Sequence, residues 1–540
     1  MVMRLSIWII CLAMCVGAMF TFNLFSPHEE TNSNRYKSTE GQAVELALIS
    51  PGKPPAKDHS DLNKGIHSDF SIWDDKSLKG LSDILLTARD PDYWLDAENL
   101  SMNGFEITDR LDRLGTMKIR VHDPDDFARF LRDNADDFEL QKNIRLKIPT
   151  VPEQRILELE KSFAGTSMDW LGTKEDRWNS GTGIKVAVLD TGIDGNHESL
   201  SGLNFSEVSL VGEDSKSGMG HGTGIASIIA GQTEGFLGLA PASEILSVKV
   251  LGEDGGGDSF TIAKGIMLAV DQGADIINLS LGGGSSSVAI DNAIQYAKSR
   301  DVLLVSAVGN DGLSEVAYPA RHQDVIAVSS VDANSRVSTF ANFGPEVDLA
   351  APGVGVFTAW ENSGFVEFSG TSISAAFVTG ALAHELSRSP LQNKKDAIDA
   401  LYANVDETEK PGKDIWAGRG VINMRRLDQR NTPGIVDAAV VGYYFDPSNL
   451  SSSGTTPFQV TVQNQGTTWI QSMNLKVKYK GLEKDFRLGN LSSGEIRSET
   501  LYFDSGTPSK ELSISSELNV FGEADKYPVN NVRKSRLVLP

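Results

Sequence analysis

Short apolar runs alternate with amphipathic stretches from Ile184 to Val308, and few folds accommodate that pattern. Ile184-Lys185-Val186-Ala187-Val188-Leu189 is rich in β-branched residues and follows Gly183, as expected of a strand buried on both faces. Ile245 to Val250, Ile276 to Leu279 and Val302 to Val308 repeat the type. Between them, Ile225 to Ala230, Phe260 to Val270 and Val288 to Lys298 read as helices. Strands separated by helices predict an α/β domain with a doubly wound parallel sheet. Functional residues of such a sheet lie outside the carboxyl ends of its strands. Asp190 and Asn310 fall there.

Three glycine-bracketed turns add chemistry to this frame. Asp190-Thr191-Gly192, His221-Gly222-Thr223 and Gly370-Thr371-Ser372 supply an acid, an imidazole and a hydroxyl. Each has an ordinary reading when taken alone. Asp-Thr-Gly also suits a pair of carboxylates sharing one proton, with Asp504-Ser505-Gly506 as the second half, but that pairing leaves His221 and Ser372 without a role. A single histidine is as readily a satisfied core residue. Ser372 fits a helix N-cap, a position compatible with a nucleophile, because a helix N-terminus favours developing negative charge. The order Asp, His, Ser is one of the three unrelated orders in which a Ser-His-Asp triad occurs.

Six segments then occur in one order: Val186-Ala187-Val188-Leu189-Asp190-Thr191-Gly192-Ile193-Asp194, His221-Gly222-Thr223-Gly224-Ile225-Ala226-Ser227, Asn278-Leu279-Ser280-Leu281-Gly282-Gly283, Ala307-Val308-Gly309-Asn310, Tyr318-Pro319-Ala320 and Phe368-Ser369-Gly370-Thr371-Ser372-Ile373-Ser374-Ala375. Through them the chain resembles the subtilisin-like serine peptidases, the subtilases, over roughly Trp170 to Met424. The resemblance implies that Ser372 attacks the scissile carbonyl, His221 relays the proton, and Asp190 holds the imidazole. It implies that Asn310 supplies the side-chain donor of the oxyanion hole beside the Ser372 backbone N–H. Ser280, Leu281, Gly282 and Gly283 match the strand that pairs with an extended substrate, where glycine lets two main chains approach. Ala307, Val308 and Gly309 join the implied substrate-binding set. Asp311 reads as a solvated loop acid, or as a group favouring basic side chains.

The departures are specific. Ala375-Ala376-Phe377 stands where the family often has Ala-Pro-His, and Gly224 replaces a common histidine. Ser199 precedes Leu200 where members with a tight calcium site carry an acid, and the Gly231 to Gly238 loop is short. That calcium site is therefore not expected, since chelation needs oxygen-rich ligands, and no metal or cofactor is predicted. Asp254 and Asp258 flank a glycine run that reads as a flexible surface loop, with calcium binding as the other reading. His197 reads as structural. His384-Glu385 begins a zinc-peptidase pattern, but Arg388 occupies the place of the second histidine.

The flanks extend the organisation. Arg4 precedes an uncharged stretch from Leu5 to Phe25, so residues 1-25 read as a signal peptide or signal anchor; spanning a bilayer takes ~20 residues. Lipidation at Cys15 is a third reading. Cys11 and Cys15 are the chain's only cysteines, so an exported mature chain would have no disulfide. Residues 26-68, with Pro51-Gly52-Lys53-Pro54-Pro55, read as a linker. Residues 69-161 form an α+β pro-region, with a strand at Thr116 to Val121 and a helix at Pro124 to Asp133 capped by Asp123. The resemblance implies a propeptide that templates folding and occupies the active site, cleaved between about Lys147 and Met168. A permanent accessory domain is the alternative. Residues 162-430 carry the peptidase domain. From 434 to 540, short alternating strands predict an all-β sandwich: Ile435 to Val441, Phe458 to Asn464, Leu475 to Tyr479, Glu495 to Phe503 and Glu511 to Val520. Gln463-Asn464-Gln465-Gly466 and Leu491-Ser492-Ser493-Gly494-Glu495 resemble bacterial immunoglobulin-like adhesion-type modules.

The 540 residues carry 72 acids against 50 lysines and arginines, a net charge of −22, which disfavours nucleic-acid partners and anionic membrane surfaces. The reading is an exported serine endopeptidase that works through an acyl-enzyme and processes its own N-terminal region, secreted or in the cell envelope. Its partners are protein or peptide substrates, its own N-terminal region and a surface partner for the C-terminal module, with membrane contact only through residues 5-25. Two alternatives belong to other classes: a catalytically silent binding protein that uses the β-sandwich, and a structural protein that cleaves only itself.

Overall fold

The structure is a computed structural model that describes residues 45–47, 83–90, 103–151, 160–212, 218–388, 393–445, 455–504 and 511–538. The expected signal segment, both cysteines and Ser505-Gly506 lie outside the described residues. Among the described residues, no helix is long and apolar enough to cross a membrane.

A nine-stranded sheet organises the middle of the chain. Its order is Val405–Asp406, Val421–Ile422, Leu349–Pro352, Ile326–Val331, Leu303–Ala307, Ile276–Leu279, Lys185–Asp190, Glu244–Lys249 and Phe205–Ser209. All neighbours are parallel except the first pair. The alternation of side chains along a strand divides two apolar clusters. Val186 and Val188 pack with the helices Gly220–Ala230 and Thr371–Arg388, while Ala187 and Leu189 pack with Ser259–Asp271 and Val288–Ser299. The result is helix, sheet, helix. Lys185–Asp190 lies between Ile276–Leu279 and Glu244–Lys249, so the winding reverses there. Expected strand ends agree within a residue or two. The first helix differs: it begins at Gly220, so His221 lies in its first turn and not ahead of it.

The N-terminal region is a four-stranded antiparallel sheet, in the order Phe105–Leu111, Thr116–Val121, Ile84–Ala88, Phe138–Lys142. The helix Pro124–Asp133 covers one face. Asp123 caps it by accepting from the N–H groups of Asp125 and Asp126 (both 3.1 Å). Phe105, Phe127, Phe130 and Phe138 form its aromatic core, with ring centroids of neighbouring pairs 5.1 to 6.4 Å apart.

This region rests on two helices of the central domain. Leu85, Leu111 and Leu114 join the apolar cluster of Ser259–Asp271 and Val288–Ser299. Each helix begins with N–H groups that lack an intrahelical partner, and the N-terminal region supplies acceptors. Asn143 Oδ1 accepts from Phe260 N–H (3.0 Å), and Gln141 Oε1 accepts from Val288 N–H (3.0 Å). Exposed pairs Arg113–Asp271 (2.6 Å) and Lys264–Asp109 (2.7 Å) flank the contact.

Beyond Arg430, two antiparallel sheets share one apolar core. One contains Ala438–Tyr444, Thr455–Asn464 and Ile496–Asp504. The other contains Val532–Val538, Glu511–Val520, Met473–Tyr479 and Leu482–Leu488, with Glu45–Ala47 pairing parallel to Val532–Val538 at its edge. Part of the expected linker is therefore a strand. The first expected strand begins later, at Ala438. Leu482–Leu488 escaped the pattern because its mostly exposed, charged sequence gives no apolar alternation.

At the junction with the central domain, Arg425 lies over the Tyr527 ring (3.8 Å), and Glu407 N–H donates to Gln463 Oε1 (3.1 Å). Burial pushes the Glu407 carboxyl up to about 8, even though it accepts from Gly412 and Thr408 N–H. The folded state thus holds a proton that the unfolded chain releases near 4.5. This contribution is greatest at low pH and is lost as pH rises toward 8. Glu407→Gln should flatten that fall in denaturant-unfolding stability between pH 4.5 and 8; an unchanged slope would assign it elsewhere.

Candidate active site

Asp190 is the last residue of Lys185–Asp190 and is fully buried. Its carboxylate accepts from Thr191 N–H (2.7 Å) and faces His221 Nδ1 with both oxygens, at 2.8 and 2.9 Å. Nδ1–H therefore points at the acid and leaves Nε2 as the free lone pair. Gly222 permits this approach of helix and loop: a Cβ there would lie 2.2 Å from the Gly192 carbonyl oxygen. The His221 ring meets Phe368 edge-on (centroids 5.5 Å apart), and Trp360 stacks on Phe368. No hydrogen-bond partner is present for buried His221 Nε2.

Ser372 lies at the start of the helix Thr371–Arg388 and is fully buried. Its hydroxyl makes a long contact of 3.5 Å with the Ser280 carbonyl. The Ser280 side chain donates back to the Ser372 carbonyl (3.1 Å), receives Asn278 Nδ2–H (2.9 Å), and Asn278 Oδ1 receives the Thr379 hydroxyl (2.9 Å). This buried chain locks the end of Ile276–Leu279 to two turns of the serine helix.

Asn310 lies three residues beyond the strand Leu303–Ala307. Its Oδ1 accepts from Thr371 N–H (3.0 Å) and the Thr371 hydroxyl (2.9 Å), which fixes the amide and turns Nδ2 away from the helix. Thr371 Oγ1 also accepts from Gly309 N–H (3.2 Å). Asn342 Oδ1 clamps the far side of the loop, accepting from Asp311 and Leu313 N–H (both 3.0 Å). Gly309 has φ +102°, and a Cβ there would lie 2.5 Å from Asn342 Nδ2, so the loop requires glycine.

An extended segment of the chain itself runs through this site. Arg145–Lys147 pairs antiparallel with Gly256–Asp258, while Lys147 also exchanges both main-chain bonds with Gly282 (3.0 and 2.8 Å). Asn310 Nδ2 donates to the Pro149 carbonyl (2.8 Å). Leu146 is buried in the apolar cluster that contains Leu281. The segment is thus a middle strand between two walls.

Of the sequence-expected residues, Asp190 and His221 meet directly, Asn310 is tied to the serine helix through Thr371, Ser372 is tied to Ser280, and Gly282 pairs with an extended chain. Gly283 instead exchanges bonds with Tyr318 (2.9 and 2.8 Å). Ala307 and Val308 are interior, in apolar clusters, and support the Asn310 loop from behind. The second wall was missed: Asp254 and Asp258, read as flanking a flexible loop, bracket a paired strand. Asp254 binds Arg145, and Asp258 caps Ser259–Asp271 through Thr261 N–H (3.0 Å). Asn342 was also missed, because nothing in its local sequence marks a clamp acting on a loop some thirty residues earlier.

His197 and His384 are both engaged in structural contacts. His197 Nδ1 accepts from Ser199 N–H (3.1 Å), and its Nε2 faces the Gly364 carbonyl (2.9 Å). His384 lies between the Ser180 hydroxyl (2.7 Å) and Asp428 (2.9 Å), while Glu385 pairs with Arg430. Among the described residues, no group of three or more His, Cys, Asp or Glu is arranged to hold a metal ion.

A family model described as the subtilase family matches residues 181–416. Subtilisin BL of Lederbergia lenta is 41% identical over 221 residues, covering 40% of this chain and 80% of its own. Thermitase of Thermoactinomyces vulgaris is 39% identical over 254 residues, covering 46% and 90%. Subtilisin DY of Bacillus licheniformis is 34% identical, covering 46% and 92%. With the strand order, the winding reversal and the ordered segments on one sheet edge, these matches establish an α/β serine endopeptidase acting on proteins, and the chain belongs to the subtilase family.

Proposed function

We propose that this chain is an exported endopeptidase that uses Ser372, His221 and Asp190 through an acyl-enzyme, and that its N-terminal region is an inhibitory pro-region. Ser372 Oγ attacks the scissile carbonyl, and His221 Nε2 takes its proton and passes it to the leaving amine. Asp190 holds the imidazole in the required tautomer and stabilises the imidazolium. Asn310 Nδ2 donates to the oxyanion, a preorganised contact that gains strength as charge develops.

One observation carries the reading. A main-chain carbonyl, that of Pro149, lies on Asn310 Nδ2 while its strand pairs with Gly282, which is how an extended peptide would be gripped for acyl transfer. The acceptors that Asn143 and Gln141 lend to two helices support a pro-region that assists folding of the central domain. The two sheets around one core support an immunoglobulin-like, adhesion-type module that holds a surface partner. Export rests on the Leu5 to Phe25 stretch, through which the chain would also meet a membrane. No cofactor or calcium is required by the proposed chemistry.

Fluorophosphonate labelling tests the nucleophile. Wild-type protein freed of its N-terminal region should label at Ser372, and Ser372→Ala should not. Equal labelling of the two would remove Ser372 from the mechanism.

Thr371→Val tests the orientation of Asn310, since it deletes the hydroxyl's bond to Oδ1 and the bond it accepts from Gly309 N–H while keeping the shape. Loss of these bonds predicts about a tenfold fall in kcat with KM little changed. A change confined to KM would instead assign Thr371 to substrate binding.

A further inference from the structure

The strand in the cleft has a defined register. In an antiparallel ladder, hydrogen-bonded pairs recur two residues apart on each strand. Lys147 exchanges both bonds with Gly282, so the next such pair is Pro149 with Ser280. The neighbouring contacts agree: Ile148 N–H donates to the Gly255 carbonyl on the other wall (2.9 Å), and the Pro149 carbonyl reaches Asn310 Nδ2. An ordinary residue at 149 would donate its N–H to the Ser280 carbonyl. Proline has no N–H to donate.

The carbonyl left without a strand N–H lies next to the nucleophile. The Ser280 carbonyl is approached by Ser372 Oγ at 3.5 Å, while buried His221 Nε2 has no partner. Acid and imidazole are engaged, and a carbonyl sits on the oxyanion donor. The hydroxyl, however, is turned toward the wall and not toward the base. The side chain on the other side of the bond, Thr150, is exposed.

We propose that Pro149–Thr150 is the peptide bond this chain presents to its own catalytic centre, and that the proline makes it a slow substrate that keeps the precursor silent. The proposal rests on the serine-peptidase reading above. In the reaction, Ser372 Oγ bonds to the Pro149 carbonyl carbon and its proton passes to His221 Nε2. The carbon–nitrogen bond to Thr150 breaks as that proton moves to the Thr150 nitrogen. Water then hydrolyses the ester, leaving a carboxylate on Pro149 and a free amine on Thr150. An N–H at position 149 would occupy the Ser280 carbonyl and return the Ser372 hydroxyl to His221.

The test uses full-length wild type, Pro149→Ala, Pro149→Ser and the double variant P149A/S372A, incubated as purified precursors and followed by intact mass and N-terminal sequencing. Either single variant should mature about tenfold faster than wild type, the scale of one hydrogen bond regained at the reacting group. The new N-terminus should be Thr150, and the double variant should not mature. Equal maturation rates for wild type and both single variants would overturn the proposal, as would cleavage at another bond. Fluorophosphonate labelling of the same samples after limited trypsin treatment separates the two levels of argument. Labelling at Ser372 without cleavage at 149–150 in either single variant overturns the register alone. No labelling at Ser372 overturns the peptidase reading and the proposal with it.

Discussion

The reversal of winding at Lys185–Asp190 is the constraint on which the site depends. The chain leaves that strand toward Phe205–Ser209 and Glu244–Lys249, then crosses it to continue through Ile276–Leu279 and Leu303–Ala307. Three adjacent parallel strands therefore open their carboxyl ends on one edge. Asp190 ends the first, Ser280 follows the second, and Asn310 follows the third. Their spacing is set by sheet register, Val186 opposite Ile276 and Ile276 opposite Leu303, before any side-chain interaction is considered. The serine helix then needs only to be fixed along its axis, and the buried Asn278, Ser280 and Thr379 bonds do so.

The legible parts of the chain were those where local pattern and burial agree. Val186 to Leu189 is apolar on both faces because both faces are covered, so strand and fold class followed directly. Asp190, His221, Asn310 and Ser372 stood out because each sits in a glycine-marked turn. What stayed hidden was non-local. Asn342 reaches back to the Asn310 loop through two backbone donors, and no local spacing announces that. Gly255-Gly256-Gly257 looked like a mobile loop because glycine erases side-chain periodicity, yet its main chain is held by Arg145–Lys147. The first helix was read as starting after His221, because its first turn is Gly-His-Gly and glycine lowers helix propensity. The turn is kept because residues 220–222 are packed against Trp360 and Gly192.

The N-terminal region meets the catalytic domain in a particular way. Its exposed ion pairs Arg113–Asp271 and Lys264–Asp109 contribute little each. The apolar contact of Leu85, Leu111 and Leu114 and the amide acceptors of Asn143 and Gln141 carry the docking. Both amides are uncharged, and they work beside the Asp258 carboxylate, which caps the Ser259–Asp271 helix from within the central domain.

The junction between the central domain and the C-terminal sheets has a mechanical meaning. Arg425 lies on the Tyr527 ring, Gln429 bonds its hydroxyl (3.0 Å), and Gln463 bonds the backbone at Glu407. Arg425 and Gln429 belong to the short helix Met424–Gln429, and the Arg425 N–H also bonds the Leu171 carbonyl of the peptidase core. A module fastened this way cannot swing like a bead on a string. It is held as a fixed arm, so a surface partner of the kind proposed above would be set at one bearing and one reach from the cutting edge, and geometry would choose which bonds of that surface come within range.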